Sequence, residues 1–312
     1  MARKTTEAPV CVEQSVDPRI VLAVLAAGTF IAPLDSSIVN IALPQIAADF
    51  GARITAAGWV ATAYVLTVAS LVLAMGRLAD ILGLRRVYVT GFIVFGLGSA
   101  ASALAPALGL LIAARVLQAC GAAAMFAAGP ALVTRTFPPR RRGWALGWIS
   151  LSVSAGLTAG PALGGLLVGT FGWRSVFLIN IPLALVMAAA SRRLLPEDCP
   201  DSEPFDVPGA VLAAFTLTMA LLALSEVDRS GLLSFRVLGA AAASVVAGAL
   251  FVAVERRSAH PMLDLTLFST RRFSAGVGAA VVSGSLSRST PPCESPSNSS
   301  LTAAPSTPSS AS

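Results

Sequence analysis

Two charged side chains lie inside long apolar stretches of this sequence, where charges are rare. Asp35 belongs to Pro33-Leu-Asp-Ser-Ser-Ile-Val-Asn-Ile-Ala-Leu-Pro44, and Arg115 belongs to Leu110-Leu-Ile-Ala-Ala-Arg-Val-Leu-Gln-Ala-Cys-Gly121. An ionised side chain in such a segment is energetically expensive, so it usually faces a partner or a water-filled cavity and is a functional candidate. An Asp–Arg pair in a low-dielectric cavity can couple proton binding to conformation. A static structural pair is the alternative.

The segments that carry these two charges are long enough to cross a bilayer. The chain has 312 residues, of which 55% are hydrophobic and 12% are charged, with a mean hydropathy of +0.77. A soluble domain carries about 25% charged residues, so this chain has too few to cover a water-facing surface. A spanning helix needs about 20 mostly apolar residues. Eight blocks qualify: Ile20–Leu43, Trp59–Leu78, Val87–Ala105, Leu108–Val133, Ala145–Val168, Val176–Ala190, Pro208–Leu224 and Val237–Val254.

The order of these blocks predicts an all-α membrane protein with five parts. They are a cytoplasmic N-terminal tail over 1–18, a six-span half over 19–193, a connector with two additional spans over 194–272, an incomplete ninth span over 273–284 and a disordered tail over 285–312. The ninth block is too short to cross a bilayer. The Ser- and Pro-rich tail cannot form a packed core. Because it interrupts an apolar block, we expect a frameshift or a truncated gene.

Lys and Arg predict the orientation of the spans, because cytoplasmic loops carry an excess of both. With the N-terminus in the cytoplasm, sixteen of them lie inside and four lie outside, the four being Arg53, Arg174, Arg229 and Arg236. The first block is also too long for a signal peptide. We therefore expect a multi-pass protein of the cell membrane. Basic loops beside anionic lipid explain the pI of about 9.9 without nucleic acid as a partner.

Residues suited to catalysis or metal binding are sparse. The four cysteines have no metal-ligand spacing, and the single histidine, His260, falls in a predicted cytoplasmic loop. No Ser/His/Asp set, carboxylate pair or phosphate-cradling glycine loop stands out. The sequence therefore predicts a protein that is not an enzyme and that uses no cofactor or metal.

Asp35 and Arg115 are predicted to lie at similar depth. Asp35 lies 16 residues beyond Arg19, which is about 24 Å from the cytoplasmic side at 1.5 Å per residue. Arg115 lies 7 residues into a span that begins outside, which is about 10 Å down. In an apolar core about 30 Å thick, both fall in the outer half. We therefore expect the two side chains to be neighbours.

The loop between spans two and three, Gly76-Arg-Leu-Ala-Asp-Ile-Leu-Gly-Leu-Arg-Arg86, has a spacing that favours a conformational gate. Gly76 and Gly83 permit a close approach and a tight turn. Asp80 is expected at a helix end among three basic residues, Arg77, Arg85 and Arg86. Such a cluster can hold one cytoplasmic arrangement and release another. Simple positive-inside anchoring is the alternative.

Span five contains Gly156-Leu-Thr-Ala-Gly-Pro-Ala-Leu-Gly-Gly165. Gly156, Gly160 and Gly164 recur every four residues and therefore line one helix face, where small residues let two helices approach closely. Pro161 weakens the local hydrogen-bond ladder and can kink the helix. The stretch predicts a bendable helix that packs tightly on a neighbour. An ordinary small-residue packing face is the alternative.

Taken together, these motifs resemble those of the major facilitator superfamily, and more closely its fourteen-span drug–proton antiporter family. The resemblance runs from about Arg19 to Gly284. The matching stretches occur in order: Leu34–Pro44 in span one, Gly76–Arg86 after span two, Arg115–Gly121 in span four, Gly156–Gly165 in span five, Trp173–Pro182 at span six and Pro261–Phe268 before span nine.

The resemblance implies export of a hydrophobic small molecule in exchange for protons, with the proton gradient as the energy source. By it, Asp35 and Arg115 serve proton coupling, and the loop Gly76–Arg86 forms the cytoplasmic gate. The span-five glycines form the hinge against an opposite half. Asn40 and Gln118 are candidates to line the cavity. Spans seven and eight are the extra pair that links two six-span halves.

The sequence departs from the family pattern in several places. Ile81 and Leu84 replace basic residues, Ala119 replaces a glycine, and Arg141 stands where an acidic residue is common. The larger departure is the missing second half, because the superfamily places its substrate site between two halves that rock against each other. Two alternatives follow: a truncated membrane remnant that transports nothing, or a half-transporter whose two copies pair through the span-five face.

Overall fold

The computed structural model describes residues 17–197, 206–231 and 234–256. The predicted ninth span, the Ser- and Pro-rich tail and nearly all of the N-terminal tail lie outside these ranges, so the predicted domain boundaries stay predictions. Every regular element in the described ranges is an α-helix: α1 Pro18–Asp49, α2 Ile54–Ala57, α3 Trp59–Leu82, α4 Leu84–Ala103, α5 Leu108–Thr136, α6 Pro139–Phe171, α7 Arg174–Leu178, α8 Asn180–Leu194, α9 Val207–Ser230 and α10 Phe235–Glu255.

In the described ranges, eight helical segments are long and apolar enough to cross a membrane. Two of them combine a short helix with the next one, as α2 and α3 form Ile54–Leu82, and α7 and α8 form Arg174–Leu194. Each segment overlaps one predicted block, which confirms the all-α membrane fold. α1 and α6 are longer than their apolar blocks. The ends of a spanning helix can lie outside the hydrocarbon core of the bilayer, where polar residues are accepted. The division into six spans plus two stays a prediction.

The helix boundaries follow from local chemistry. The side chain of Asp17 accepts a hydrogen bond from the Arg19 amide at 2.8 Å, and Pro18 opens α1, where its missing N–H is not needed. Gly83 separates α3 from α4 with φ +96°, and Gly172 separates α6 from α7 with φ +78°. Positive φ is readily adopted by glycine, so both turns can be very short.

Helix α1 is central to the packing. It lies against α6 on one side and against α5 and α8 on the other, while α4 packs on α5 and α8. α9 and α10 form a hairpin whose α9 packs on α3, where Thr218 donates a hydrogen bond to Ser70 at 2.8 Å. The helices that carry Asp35 and Arg115 are therefore direct neighbours.

Two apolar clusters fill the interior, one on each side of the level of Asp35. The first apolar cluster contains the buried apolar residues between Val21 and Ala32 of α1 and the aromatic side chains of α4, Tyr88, Phe92 and Phe95. The second apolar cluster contains the buried apolar residues between Leu34 and Ala47 of α1, together with Trp173 and Phe177. Helix α5 changes cluster in the same way, because Leu111 belongs to the second cluster and buried residues between Ala119 and Val133 belong to the first. A thin layer between the two clusters is left for polar side chains.

The seam between α1 and α6 is very close. A Cβ atom added to Gly156 would lie 2.7 Å from the Phe30 carbonyl oxygen, and one added to Gly160 would overlap the side chain of Ser37. Ser37 also donates a hydrogen bond to the Leu157 carbonyl at 2.8 Å. Two helices that touch through backbone and small side chains gain dispersion contacts, which drive helix association in lipid.

We predict that Gly160→Ala destabilises the chain by about 1–3 kcal/mol, because the new methyl group must push α6 away from α1. The matched control is Gly165→Ala on the same helix, where no atom lies within 4 Å of the added Cβ. Thermal unfolding of the purified chain in detergent measures both. Equal unfolding temperatures for the two variants would contradict the close seam.

Candidate functional site

The structure brings Asp35 and Arg115 together in the polar layer between the two apolar clusters. Arg115 Nη1 lies 2.6 Å from Asp35 Oδ2, and both side chains are 0% exposed. Asp35 comes from the middle of α1, two residues after Pro33, and Arg115 comes from the second turn of α5. The expectation that the two side chains are neighbours is therefore confirmed, whereas the proton-coupling role stays a prediction.

Three neutral polar side chains complete the layer. Asn180 at the start of α8 donates to Asp35 Oδ1 at 2.6 Å, and Gln118 Nε2 donates to the same oxygen at 3.1 Å. Gln118 also accepts from Arg115 Nη1 at 2.6 Å and donates to Ser99 of α4 at 2.8 Å. All five side chains are buried, so a hydrogen-bonded network joins α1, α4, α5 and α8.

The guanidinium of Arg115 is held by an unusual set of contacts. Its Nε donates to the Val60 carbonyl at 3.2 Å, and its Cζ lies 4.1 Å from the ring centroid of Tyr64 on α3. The ring of Phe177 on α7 lies on another side, with its centroid 5.7 Å away. Aromatic rings attract a cation through their quadrupoles, and they do so more strongly where water is absent. The positive charge is therefore stabilised without exposure.

Burial decides what this pair can do. Removing one partner of a buried ion pair leaves an uncompensated charge, which costs about 3–5 kcal/mol. Proton uptake by Asp35 is the alternative way to remove the negative charge, and it would weaken each of the three hydrogen bonds that the carboxylate accepts. The pair can thus act as a conformational switch that responds to protonation of Asp35, or as a static clamp.

Sequence reasoning identified two members of the network as a charged pair and missed how the others contribute. Asn180 was recognised only as part of the Trp173–Pro182 stretch, although an amide in an apolar span is itself a signal, because it must find a partner there. Tyr64 and Ser99 gave no signal in the sequence. Aromatic residues such as Tyr64 and small residues such as Ser99 are common in membrane spans, so neither stands out.

The two residues predicted to line a cavity are placed differently. Asn40 is exposed on α1, one turn beyond Asp35, whereas Gln118 is 0% exposed inside the network. In this structure Gln118 therefore contacts protein polar groups and not open space. A cavity-lining role for either residue stays a prediction.

The predicted gate loop forms two ion pairs at its end of the bundle. Asp80 Oδ1 lies 3.6 Å from Arg135 Nη2 on α5, and both side chains are close to half exposed. Arg85 Nη2 lies 2.8 Å from Glu197 Oε1 and Arg85 Nη1 donates to the Leu195 carbonyl at 3.2 Å. Sequence reasoning expected Asp80 beside the arginines of its own loop and missed both of these partners.

The glycines of this loop also differ from each other. Gly83 makes the sharp turn between α3 and α4, and it contributes with Arg85, Arg86 and Glu197 to a small cavity at the surface. Gly76 lies within α3, where no atom comes within 4 Å of an added Cβ. The expected close approach is therefore not seen at Gly76.

The span-five glycine face is covered by the chain's own first helix. Gly156, Gly160 and Gly164 are buried against α1, whereas Pro161 and Gly165 are exposed. The expectation that this face waits for an opposite half, or for a second copy of the chain, does not fit the structure. α1 meets Gly156 with the backbone of Phe30 and Leu34, and it meets Gly160 and Gly164 with Ser37 and Ile38.

The described part of the chain contains no group of three or more His, Cys, Asp or Glu side chains that is arranged to hold a metal ion.

Comparisons with known proteins give the family. The sequence pattern of the Major Facilitator Superfamily matches residues 25–292. Similar proteins include the riboflavin transporter RibZ of Clostridioides difficile, 37% identical over 82% of this chain and 56% of its own length. They also include the multidrug resistance protein Stp of Mycobacterium tuberculosis, 36% identical over 80% and 47%. The putative multidrug resistance protein MdtD of Escherichia fergusonii is 37% identical over 83% and 55%. The chain spans about half the length of these relatives.

Solved structures with the same fold include a peptide transporter POT in complex with sulfate and the human organic anion transporter MFSD10. The first superimposes with a TM-score of 0.56 at 14% identity over 77% of this chain and 53% of that one. The second has a TM-score of 0.53 at 18% identity over 68% and 56%. These likenesses concern the fold alone. The chain therefore belongs to the major facilitator superfamily, and its multidrug-resistance relatives are members of the fourteen-span branch that its motifs resemble.

Proposed function

We propose that the chain takes part in proton-coupled export of hydrophobic small molecules across the cell membrane. The observation that supports this proposal best is the Asp35–Arg115 pair, which is fully buried and shared between α1 and α5. A titratable group in a membrane span is expensive unless it has a function or a partner, and here it has a partner that proton uptake would release. The proposed energy source is the proton gradient across the membrane, and no cofactor takes part.

The coupling step follows from the hydrogen bonds. While Asp35 is ionised, it accepts from Arg115, Gln118 and Asn180, so α1 is tied to α5 and α8. When Asp35 takes up a proton, the ion pair is lost and one carboxyl oxygen becomes a donor. The three helices are then held less tightly at this level and can change their relative positions, which is the movement that alternating access requires.

The proposed substrate class rests on the names of the relatives. Two of the relatives described above are named as multidrug resistance proteins, and one is named as a riboflavin transporter. We therefore propose hydrophobic or aromatic compounds as the class, and drugs and riboflavin are the two members to test.

For the loop Gly76–Arg86 we propose the role of cytoplasmic gate. Its ion pairs, Asp80 with Arg135 and Arg85 with Glu197, are partly exposed, and such pairs contribute only about 0–1 kcal/mol each. Contacts this weak hold a closed arrangement without preventing its opening. The gate thus breaks more easily than the buried pair.

We predict that Asp35→Asn abolishes proton-driven export, because an amide keeps the shape of the side chain but cannot take up a proton. We also expect it to lower stability by about 3–5 kcal/mol, because Arg115 loses its counter-charge. The matched control is Asp49→Asn, the same change on the same helix at its partly exposed end, where Asp49 accepts from Trp173 at 2.7 Å. Dye and riboflavin efflux from proteoliposomes with an imposed proton gradient measures both variants.

Normal export by Asp35→Asn would contradict the coupling role. A wild-type chain that exports nothing from the same vesicles, although it is folded, would contradict the proposed activity and would favour the non-transporting membrane protein.

We predict that Arg115→Ala destabilises the chain by about 3–5 kcal/mol, because it leaves a buried carboxylate with amide donors only. The double variant Asp35→Asn/Arg115→Gln should recover much of this stability, since neither charge remains. Thermal unfolding in detergent and efflux are measured together. If the pair is a static clamp, the double variant exports normally; if it couples protons, export stays lost.

We propose a cytoplasmic N-terminus, and a labelling experiment checks it. In a background where the four cysteines are replaced by serine, Arg141→Cys and Arg53→Cys are compared with a membrane-impermeant maleimide. Both positions are exposed at helix ends. We expect residue 53 to be labelled in intact cells and residue 141 only after permeabilisation. Labelling of both from the same side would contradict the orientation.

A further inference from the structure

Span six lacks one helix hydrogen bond near the level of the buried ion pair. Its two helices, α7 and α8, meet at Ile179, and Asn180 is the first residue of α8. The backbone at Ile179 stays helical, with φ −65° and ψ −28°. Pro182 has no N–H, so it cannot donate to the Leu178 carbonyl as the helix ladder would require. The Asn180 side chain, which reaches Asp35, lies between these two residues.

Span six contacts both charges of the pair. Asn180 donates to Asp35 Oδ1 at 2.6 Å, and the ring of Phe177 lies 5.7 Å from Arg115 Cζ. Residues three apart on a helix lie on the same face, so one face of span six meets the negative and the positive group together. Both side chains are almost completely buried. A change of charge at Asp35 or Arg115 therefore changes the contacts of span six.

Asn180 and Gln118 both donate a hydrogen bond to Asp35 Oδ1, but they differ in their other hydrogen bonds. Gln118 is also bonded to Arg115 and to Ser99, so its amide is fixed within α5 and α4. The hydrogen bond that the structure gives the Asn180 amide is the one to Asp35, and it is the shorter of the two. A donor to the ionised form of a carboxylate stabilises that form over the protonated one.

We propose that Asn180 is a positioning residue that sets how readily Asp35 takes up a proton and that ties span six to this event. This inference deepens the proposed function and rests on it. When the proton binds at Oδ1, the new O–H displaces the Asn180 amide, and the N-terminal end of α8 is freed from α1. The hydrogen bond missing between Pro182 and Leu178 lets α8 bend relative to α7, whose Val176 and Phe177 belong to the second apolar cluster.

The other groups that face Asp35 do not replace this role. Arg115 from α5 and Tyr64 from α3 are the charged and titratable groups beside it, and they carry the electrostatic part of its environment. Helix α6 meets α1 with glycines, and α4 contributes Ser99 through Gln118. The neutral Asn180 is thus the contact of span six with the carboxylate.

The test follows the protonation of Asp35 directly in the purified, detergent-solubilised full chain. Infrared difference spectra recorded along a pH titration show the carboxylic acid C=O stretch, and the band absent in Asp35→Asn identifies this residue. We expect Asn180→Leu to move the midpoint of the Asp35 titration to higher pH by about one unit or more, because one hydrogen bond to the charged form is lost. The control Ser99→Ala, which removes a bond to Gln118 only, should shift it much less.

Unchanged midpoints in Asn180→Leu and Asn180→Ala overturn the inference. Should neither variant fold, Asn180→Ser keeps a weaker donor and must shift the midpoint in the same direction, and an unchanged midpoint there overturns the inference equally. The readout needs no transport. A shifted midpoint in a chain that exports nothing rejects the proposed function alone, whereas normal coupling without a shift rejects the role of Asn180 alone.

Discussion

The structure depends on one constraint, which is that a carboxylate and a guanidinium lie together where no water reaches them. Such a pair is stable only if each remaining donor and acceptor finds a partner, since desolvation of the two charges otherwise exceeds their attraction. The chain meets most of this demand with amides, a hydroxyl, a backbone carbonyl and two aromatic rings, drawn from α1, α3, α4, α5, α7 and α8. Arg115 Nη2 is buried without a hydrogen-bond partner. Satisfying Asp35 and Arg115 thus requires most of the bundle to be assembled first.

Helix α1 links this network to the glycine seam. Asp35 faces α5 and α8, whereas Ser37 and Ile38, only two and three residues later, lie against Gly160 and Gly164 of α6. The close seam holds one face of α1 while the opposite face carries the titratable group. A change at Asp35 can therefore be passed on in two ways, either to α8 through Asn180 or to α6 through a rotation of α1. Because Gly160 lies so close to Ser37 that an added Cβ would not fit, the first way needs less rearrangement than the second.

The sequence predicted the spans well and the site in part, for physical reasons that differ between residues. Span positions follow from hydropathy, because the bilayer imposes length and apolarity on each helix separately. Asp35 and Arg115 stood out because a charge in a span has few explanations. Tyr64 and Ser99 could not be found, because their types are common in spans and only the packing of α3 and α4 brings them to the pair. The partner of the glycine face was predicted wrongly for the same reason. Small residues on one helix face indicate close packing, but they do not indicate which helix packs there.

The described contacts form a hierarchy that suggests which parts move. Ion pairs at the end of the bundle, such as Asp80 with Arg135, are exposed and contribute about 0–1 kcal/mol each, so thermal motion breaks them readily. Loss of one partner from the buried pair costs about 3–5 kcal/mol, which is too much to occur without compensation. A proton on Asp35 removes the carboxylate charge and leaves the Arg115 guanidinium without its counter-charge, so the protonated pair favours an arrangement in which Arg115 gains another partner. In the proposed coupling, the ends can open at any time, whereas the interior of the bundle changes its arrangement when a proton binds to Asp35.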